Sequence, residues 1–309
     1  MNSTNFFDNR NSLKLYELSE NFNFLKNLYE SDKLPKVTML SGLKGIGKST
    51  LINHLIFYIF DKENYDMQNF YLHTKSPFYK QFKENVSPNV IYLNGSDFEN
   101  IKIMDIRNLK KKLLQTNISK KKRYIILDDI EVFNINSLNA LLKIIEEPNE
   151  SNFFFLINNN TKILLETLRS RCIEIKILLN ESQKRKIISS LLQYYNQELY
   201  IDLDLARTTP GNFLKYNYTF RNIKIDFQNN FLNNLIILLD EYKKNKNFFY
   251  INIIKFYIDY HFEYLNQKKR SSKKIEELDK KILILTNLEI FFKHNLNQNN
   301  LINSLKQII

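Results

Sequence analysis

The sequence predicts an α/β fold, with a parallel sheet over residues 36–178 and helices after it. Three observations lead to this prediction. Apolar strands alternate with helical stretches over that range, which is typical of a doubly wound parallel sheet. Three of the five glycines of the chain lie between the first strand and the next helix. Beyond residue 222, apolar residues recur at helical spacing with few Pro or Gly among them.

The composition is that of an ordinary globular protein of 309 residues, with 43% hydrophobic and 25% charged residues. The longest weakly polar run, residues 49–60, is too short to span a bilayer, and the N-terminus lacks the pattern of a secretory signal. Cys172 is the only cysteine and the four histidines are scattered, so we expect neither a disulfide nor a zinc site. These features predict a cytoplasmic protein.

The net charge of +12 suggests a polyanionic partner such as DNA. However, most of the basic residues are lysines, and Asn and Ile are plentiful, a pattern that AT-rich codons also produce. The charge is spread along the chain rather than held by one segment. It therefore gives only weak support to nucleic-acid binding.

The clustered glycines form the pattern G-x-x-x-x-G-K-S over residues 42–49. An apolar strand at residues 37–40 precedes the pattern, and a helical spacing of apolar residues follows from Leu51. Strand, glycine-rich loop and helix together are the context of a phosphate-binding P-loop, whose amides cradle the phosphates. The residues expected to bind ATP are Gly42, Gly45, Gly47, Lys48, Ser49 and Thr50.

Each side chain at the end of this loop has an expected role. Lys48 reaches the β- and γ-phosphates, and the Ser49 hydroxyl holds Mg²⁺. Thr50 lies against the α-phosphate. The same metal needs an acid on a neighbouring strand, which the next part of the sequence supplies.

An apolar run at residues 124–127 ends in Asp128 and Asp129. A buried parallel strand opens on the ligand crevice at its carboxyl end. We therefore assign Mg²⁺ to Asp128 and the polarisation of the attacking water to Asp129. The alternative is that both acids belong to a solvated turn. Further strands are predicted at residues 90–93, 153–157 and 173–177, and a helix with apolar positions from Ile135 to Ile145 is ended by Pro148.

Two further segments resemble motifs of a known family. Residues 139–148 read N-A-L-L-K-I-I-E-E-P, and residues 167–172 read T-L-R-S-R-C. Together with the P-loop and the Asp-Asp pair, at the expected distances, they resemble clamp-loader subunits of the AAA+ family. Within that family, two features are most similar to the delta-prime branch of bacterial DNA polymerase III. These are Asp129 in place of Glu and the segment at residues 103–107.

The resemblance implies three domains. These are an AAA+ P-loop nucleotide-binding core at residues 1–178, a small helical lid at 179–221 and an all-α collar for oligomerisation at 222–309. Local patterns agree with this layout, because a helix is predicted to start at Glu181 and residues 209–212 resemble the turn of the lid.

The resemblance also implies roles for two residues outside the P-loop. Asn159, after the strand at 153–157, is the expected sensor of the γ-phosphate, with Asn158 as the alternative. Arg171 is the expected arginine finger, which acts in trans on the nucleotide of a neighbouring subunit. It precedes the strand at 173–177, so we expect it at the amino end of the sheet, away from the phosphates bound by its own chain.

The sequence departs from the family in three places. Residues 51–127 lack the four cysteines of the zinc-bearing insertion, Lys215 stands near the position expected for the lid arginine, and Asp129 replaces Glu. We therefore expect ATP and Mg²⁺ binding without zinc, and we leave ATP hydrolysis open.

The implied function is that of a subunit of the DNA polymerase III clamp-loader complex, a hetero-pentamer that uses ATP to load the sliding clamp onto primed DNA. DNA polymerase activity is expected only through membership of that complex. Two alternatives within the complex stay open, a non-hydrolysing stator that donates Arg171 and the motor subunit of gamma/tau type. An unrelated P-loop kinase is the alternative outside the family, and the segments at 139–148 and 167–172 argue against it.

Overall fold

The structure of the protein is a computed structural model. It describes residues 12–95, 101, 103–114, 122–227, 230–268 and 274–308. The chain divides into two compact units: the first comprises Met1–Ile187 with Thr209–Gly211, and the second comprises Ile188–Thr208 with Asn212–Ile309. The limits proposed for core, lid and collar stay a prediction.

Parallel strands form the centre of the first unit. The strands are β1 (Val37–Ser41), β2 (Tyr65–Asp66), β3 (Tyr71–Leu72), β4 (Val90–Asn94), β5 (Arg123–Asp128), β6 (Asn152–Asn158) and β7 (Ile173–Lys176). Five of them form a parallel sheet in the order β4-β5-β6-β1-β7, and β2 pairs with β3 in an antiparallel ribbon. The predicted parallel sheet is confirmed, and each predicted strand agrees with the structure to within one residue at either end.

Helices cover both faces of this sheet. The helices of the first unit up to β7 are α1 (Ser19–Glu30), α2 (Lys48–Phe60), α3 (Pro77–Lys83), α4 (Ile103–Leu114), α5 (Ile135–Ile145) and α6 (Glu166–Arg169). Along β5, Tyr124 and Ile126 belong to the core that contains α2, whereas Ile125 and Leu127 belong to the core that contains α5. Because both faces are buried, the central strands are largely apolar, and their sequences read as continuous apolar runs rather than as alternating patterns.

The helix that follows the acidic strand end is fixed at its start by a polar cap. The side-chain oxygen of Asn134 accepts a hydrogen bond of 2.8 Å from the N–H of Ser137, which satisfies a donor that the first turn of α5 leaves free. The amide nitrogen of Asn134 and the hydroxyl of Ser137 both donate to the carbonyl of Ile101, each over 2.8 Å. These bonds tie the start of α5 to the backbone at Ile101.

The C-terminal part of the chain is helical, as predicted. Its helices are α7 (Glu181–Tyr194), α8 (Pro210–Asn222), α9 (Phe231–Asn245), α10 (Phe248–Lys268), α11 (Lys274–His294) and α12 (Gln298–Ile308). The joint predicted near residues 244–248 falls between α9 and α10. The joint predicted at residues 267–274 lies mostly outside the described residues. Within the described ranges, no helix combines the length and the apolar character needed to cross a membrane.

The prediction of a turn at residues 209–212 is wrong for most of its length. Helix α8 begins at Pro210, so Gly211 and Asn212 belong to its first turn. Proline is favoured at the first position of a helix because its φ angle is already helical and its missing N–H would have had no partner there. The Pro-Gly pair, which usually indicates a turn, here marks the start of a helix.

Candidate functional site

The loop between β1 and α2 has the backbone that its glycines predict. Gly47, the residue before α2, has a φ of 99°, in the left-handed region that favours glycine. Gly42 has a φ of 153°, and a Cβ atom at this position would lie 2.5 Å from the carbonyl oxygen of Ile177. The loop therefore depends on glycine both for its dihedral angles and for its close packing.

Lys48 lies inside this loop. Its ammonium donates hydrogen bonds to the carbonyl oxygens of Gly42, over 2.6 Å, and of Leu43, over 2.8 Å. Burial lowers the pKa of Lys48 to about 8, while the neighbouring carboxylates act in the opposite direction. The ammonium is thus held at the centre of the loop. There, the phosphates of a bound nucleotide would replace the two carbonyl oxygens as its hydrogen-bond partners.

Asp128 meets the start of α2 at the carboxyl end of the sheet. The Ser49 hydroxyl donates to Oδ2 of Asp128 over 2.6 Å, and the Tyr92 hydroxyl donates to the same oxygen over 2.6 Å. Burial raises the pKa of Asp128, while these hydrogen bonds act in the opposite direction. Carboxylate and hydroxyl oxygens are ligands that Mg²⁺ prefers, with phosphate oxygens and waters completing its shell. Ser49 and Asp128 therefore fit the metal that the sequence predicts.

Asp129 has different partners from its neighbour. The Lys44 ammonium donates to both carboxylate oxygens of Asp129, over 2.8 Å to Oδ2 and 3.1 Å to Oδ1. The side-chain amide of Asn159 donates to Oδ1 as well. Asp129 has a φ of 53° and is almost fully buried. Because both of its oxygens are engaged, this carboxylate is restrained from orienting a water molecule.

The segment after β6 is held by a third acid. Oε1 of Glu131 accepts the N–H of Asn159 over 3.1 Å and the hydroxyl of Thr161 over 2.9 Å. Its other oxygen, Oε2, is buried without a hydrogen-bond partner among the described residues. The side chain of Asn158 accepts a bond from the N–H of Asn160 instead. Of the two candidates for the phosphate sensor, Asn159 is therefore the one whose side chain contacts the acids.

The two remaining predicted residues occupy very different places. Thr50 lies half-buried in the first turn of α2, next to Ser49. Arg171 precedes β7 and therefore lies at the amino end of the sheet, because β7 runs parallel to β1. Its guanidinium forms an ion pair of 2.7 Å with Glu146 and donates over 2.8 Å to the carbonyl of Thr167. The structure thus gathers the P-loop, Asp128, Asp129 and Asn159 at one edge and leaves Arg171 at the other.

Comparison with known proteins identifies the family. Residues 18–180, just over half of the chain, match the family described as DNA polymerase III, delta subunit. The chain belongs to this family. The predicted resemblance to clamp-loader subunits is thereby confirmed.

Individual relatives of this DNA polymerase III family member are distant. The gamma subunit of DNA polymerase III from Buchnera aphidicola subsp. Acyrthosiphon pisum is 26% identical over 171 residues, which cover 54% of this chain and 44% of that protein. The delta′ subunit from Bacillus subtilis is 27% identical over 150 residues, 48% of this chain and 44% of that protein. The match therefore spans less than half the length of these relatives. A gamma subunit-related protein of Thermotoga maritima has a solved structure with a TM-score of 0.49 and 17% identity, covering 93% of this chain and 98% of that one.

Three polar residues of the site were missed by sequence reasoning. Lys44 lies at a variable position of the P-loop pattern, so the pattern gives no reason to select it. Glu131 is visible as the third acid after β5, but only its contact with the segment after β6 shows what it holds. Tyr92 lies in an apolar strand, and nothing in the sequence indicates that its hydroxyl contacts Asp128.

Proposed function

We propose that this member of the DNA polymerase III delta family binds ATP with Mg²⁺ and acts as a clamp-loader subunit that helps to place the sliding clamp on primed DNA. The observation that carries the proposal is the 2.6 Å contact between Ser49 and Asp128 beside the P-loop lysine. A hydroxyl at a helix start and a carboxylate at a strand end are the pair that holds Mg²⁺ in P-loop proteins.

The proposed roles follow from the positions of the side chains. Lys48 contacts the β- and γ-phosphates, and Ser49 and Asp128 hold the metal. When bound, Mg²⁺ supplies neutralisation of the phosphate charge. Asn159 senses the γ-phosphate, and the loop amides between Gly42 and Lys48 orient the phosphate chain.

Slow turnover by this chain is part of the proposal. Asp129, the expected water-polarising residue, is paired with Lys44 and Asn159. This pairing favours the second candidate function, a stator that binds nucleotide, hydrolyses it slowly and lends Arg171 to a neighbouring subunit. A motor subunit of gamma/tau type would need Asp129 released from Lys44 in each cycle.

The partners are proposed from the named relatives, which are gamma and delta′ subunits of DNA polymerase III. We propose that this chain assembles with the other clamp-loader subunits into a hetero-pentamer and reaches the sliding clamp and primed DNA through that complex. Co-purification of the tagged chain with the other loader subunits tests this part. Recovery of the chain alone under conditions that keep the remaining subunits together would contradict it.

Nucleotide binding is tested with Lys48→Ala. We expect the variant to lose ATP binding and to keep its fold, because Lys48 contributes charge to the loop rather than apolar packing. Binding is measured by calorimetry and the fold by circular dichroism. Lys143→Ala, an exposed lysine of α5, is the matched control and should bind as the wild type does. Unchanged binding by Lys48→Ala would contradict the proposed site.

A further inference from the structure

A segment far along the sequence is bonded to the P-loop. Thr209–Gly211 belong to the same compact unit as the loop. The Thr209 hydroxyl donates to the carbonyl of Lys44 over 2.6 Å, and the Gly211 N–H donates to the carbonyl of Gly45 over 2.8 Å. Thr209 is almost fully buried, so its hydroxyl is fixed rather than free to rotate into solvent.

These two bonds fix the orientation of two consecutive peptide groups. In a trans peptide the C=O of one residue and the N–H of the next point in opposite directions. Holding the carbonyls of Lys44 and Gly45 towards Thr209 and Gly211 therefore turns the N–H groups of Gly45 and Ile46 the other way. Among the residues that the structure describes, the N–H of Gly45 has no backbone acceptor, and that of Ile46 only closes a loose turn across Lys44 and Gly45. Both are left available to a ligand.

The contact also depends on the size of residue 211. A Cβ atom built on Gly211 would lie 2.9 Å from the carbonyl oxygen of Gly45 and 3.1 Å from its Cα. Both of these are backbone atoms, so a larger side chain must displace the loop itself. Glycine at 211 is thus required by close approach to the P-loop.

We propose that Thr209 and Gly211 are positioning residues for nucleotide binding, which orient the N–H groups of Gly45 and Ile46 towards the phosphates. The inference rests on the proposed nucleotide site and adds to it residues that lie about 165 positions away along the chain. The phosphate-binding loop is therefore completed by a segment outside its sequence pattern.

The test compares variants of Thr209 in the full chain. Thr209→Val keeps the shape of the side chain and removes the donor, and we expect it to weaken ATP and ADP binding by the same factor, about five- to tenfold. The two nucleotides should lose equally because the loop amides contact phosphates that both contain. Thr209→Ser keeps the hydroxyl and should bind within about twofold of the wild type. Thr208→Val makes the same change one residue earlier and serves as the matched control.

Two further variants keep the test decisive. Thr209→Ala removes the hydroxyl without a branched methyl group and replaces Thr209→Val if that variant does not fold. Gly211→Ala should weaken binding by about tenfold or more, because it pushes on the loop backbone. Folding of each variant is checked by its thermal transition.

The possible results separate this inference from the proposed function. Weaker binding by Thr209→Val or Thr209→Ala, restored by Thr209→Ser, supports the inference. Wild-type affinity in the variants without the hydroxyl, or a loss in Thr209→Ser equal to that in Thr209→Val, overturns it while the nucleotide site stands. Absence of ATP binding by the wild-type chain overturns the proposed function itself.

Discussion

The two edges of the parallel sheet carry charge in different ways. At the carboxyl edge, Lys48, Asp128 and Asp129 are buried and bonded to other residues of the same unit. At the amino edge, Arg171 is about one-third exposed, and its ion-pair partner Glu146 is more exposed still. Buried groups held by their own chain are suited to a site in that chain, whereas an exposed guanidinium can exchange its partner for a phosphate presented by another subunit. The comparison therefore supports the proposed division of roles, in which the carboxyl edge binds the nucleotide of this chain and Arg171 acts on that of a neighbouring subunit.

The strongest test of this separation is Arg171→Ala. In the assembled complex we expect ATP turnover to fall by about a thousandfold at the site that receives this arginine, since arginine fingers contribute about 10³–10⁵ to such reactions. The ATP affinity of the isolated chain should stay unchanged. Arg169→Ala, which removes the neighbouring guanidinium paired with Glu174, is the control and should have little effect on turnover. Lower ATP affinity in the isolated Arg171→Ala chain would place the residue at its own site and contradict the comparison.

At the carboxyl edge, the two neighbouring acids should differ. Asp128→Asn is expected to weaken Mg²⁺-dependent ATP binding by about a hundredfold, because it removes the carboxylate that faces Ser49. Asp129→Asn should leave binding within about threefold and lower any turnover. Both variants are measured by calorimetry with and without Mg²⁺. If the two results were exchanged, the assignment of metal ligand and water-polarising residue would have to be reversed.

The pairing of Lys44 with Asp129 can be measured as a coupling energy. A double-mutant cycle of Lys44→Met and Asp129→Asn should give about 1 kcal/mol of coupling in the free energy of unfolding, since Asp129 is buried and Lys44 about half exposed. The control cycle is Lys122 with Asp32, a pair at 2.5 Å whose acid is 83% exposed. It should give less than about 0.5 kcal/mol. Equal coupling in the two cycles would show that burial of Asp129 does not strengthen its ion pair.

An effect of similar size, but on the pH dependence of stability, is expected from α2, the helix that begins at the carboxyl edge. His54 of α2 is fully buried, and its Nδ1 forms a hydrogen bond of 2.9 Å with the Tyr65 hydroxyl. Burial lowers the pKa of His54 to about 3. Below the ordinary histidine pKa of about 6.5 the unfolded chain takes up a proton that the folded chain refuses, so stability falls as the pH falls.

Because of His54, the free energy of unfolding should be about 1 kcal/mol lower at pH 5.5 than at pH 7. Chemical denaturation at the two pH values measures the loss. His54→Leu should remove that part of the pH dependence, whereas His73→Gln, which changes an exposed histidine, should retain it. A wild-type slope that survives in His54→Leu would assign the dependence to other groups.

The fold was predictable from the sequence because the central strands β1, β5 and β6 are buried on both faces and are therefore largely apolar. The P-loop was predictable because its glycines are required by backbone geometry, as at Gly47 with its φ of 99°. Placement of Arg171 at the amino edge followed from its position before a parallel strand. These are local or topological properties, which the order of residues contains directly.

The missed parts of the site are contacts over long sequence separations. Lys44 reaches Asp129 from 85 residues away, and Thr209 reaches Lys44 from 165 residues away. No spacing rule connects such pairs, because they depend on how loops from separate strands meet. The turn predicted at the Pro-Gly pair 210–211 is wrong for the same reason. Gly211 packs against the P-loop at the start of α8, and this tertiary contact overrides the usual turn preference.

The central claim is that the carboxyl edge binds ATP through a metal held by Ser49 and Asp128. Its most direct test is a calorimetric titration of the wild-type chain with ATP, first with Mg²⁺ and then with EDTA in its place. We predict saturable binding of one ATP per chain, at least about tenfold tighter with the metal than without it. Absence of binding under both conditions, or equal affinity under the two, would contradict the claim.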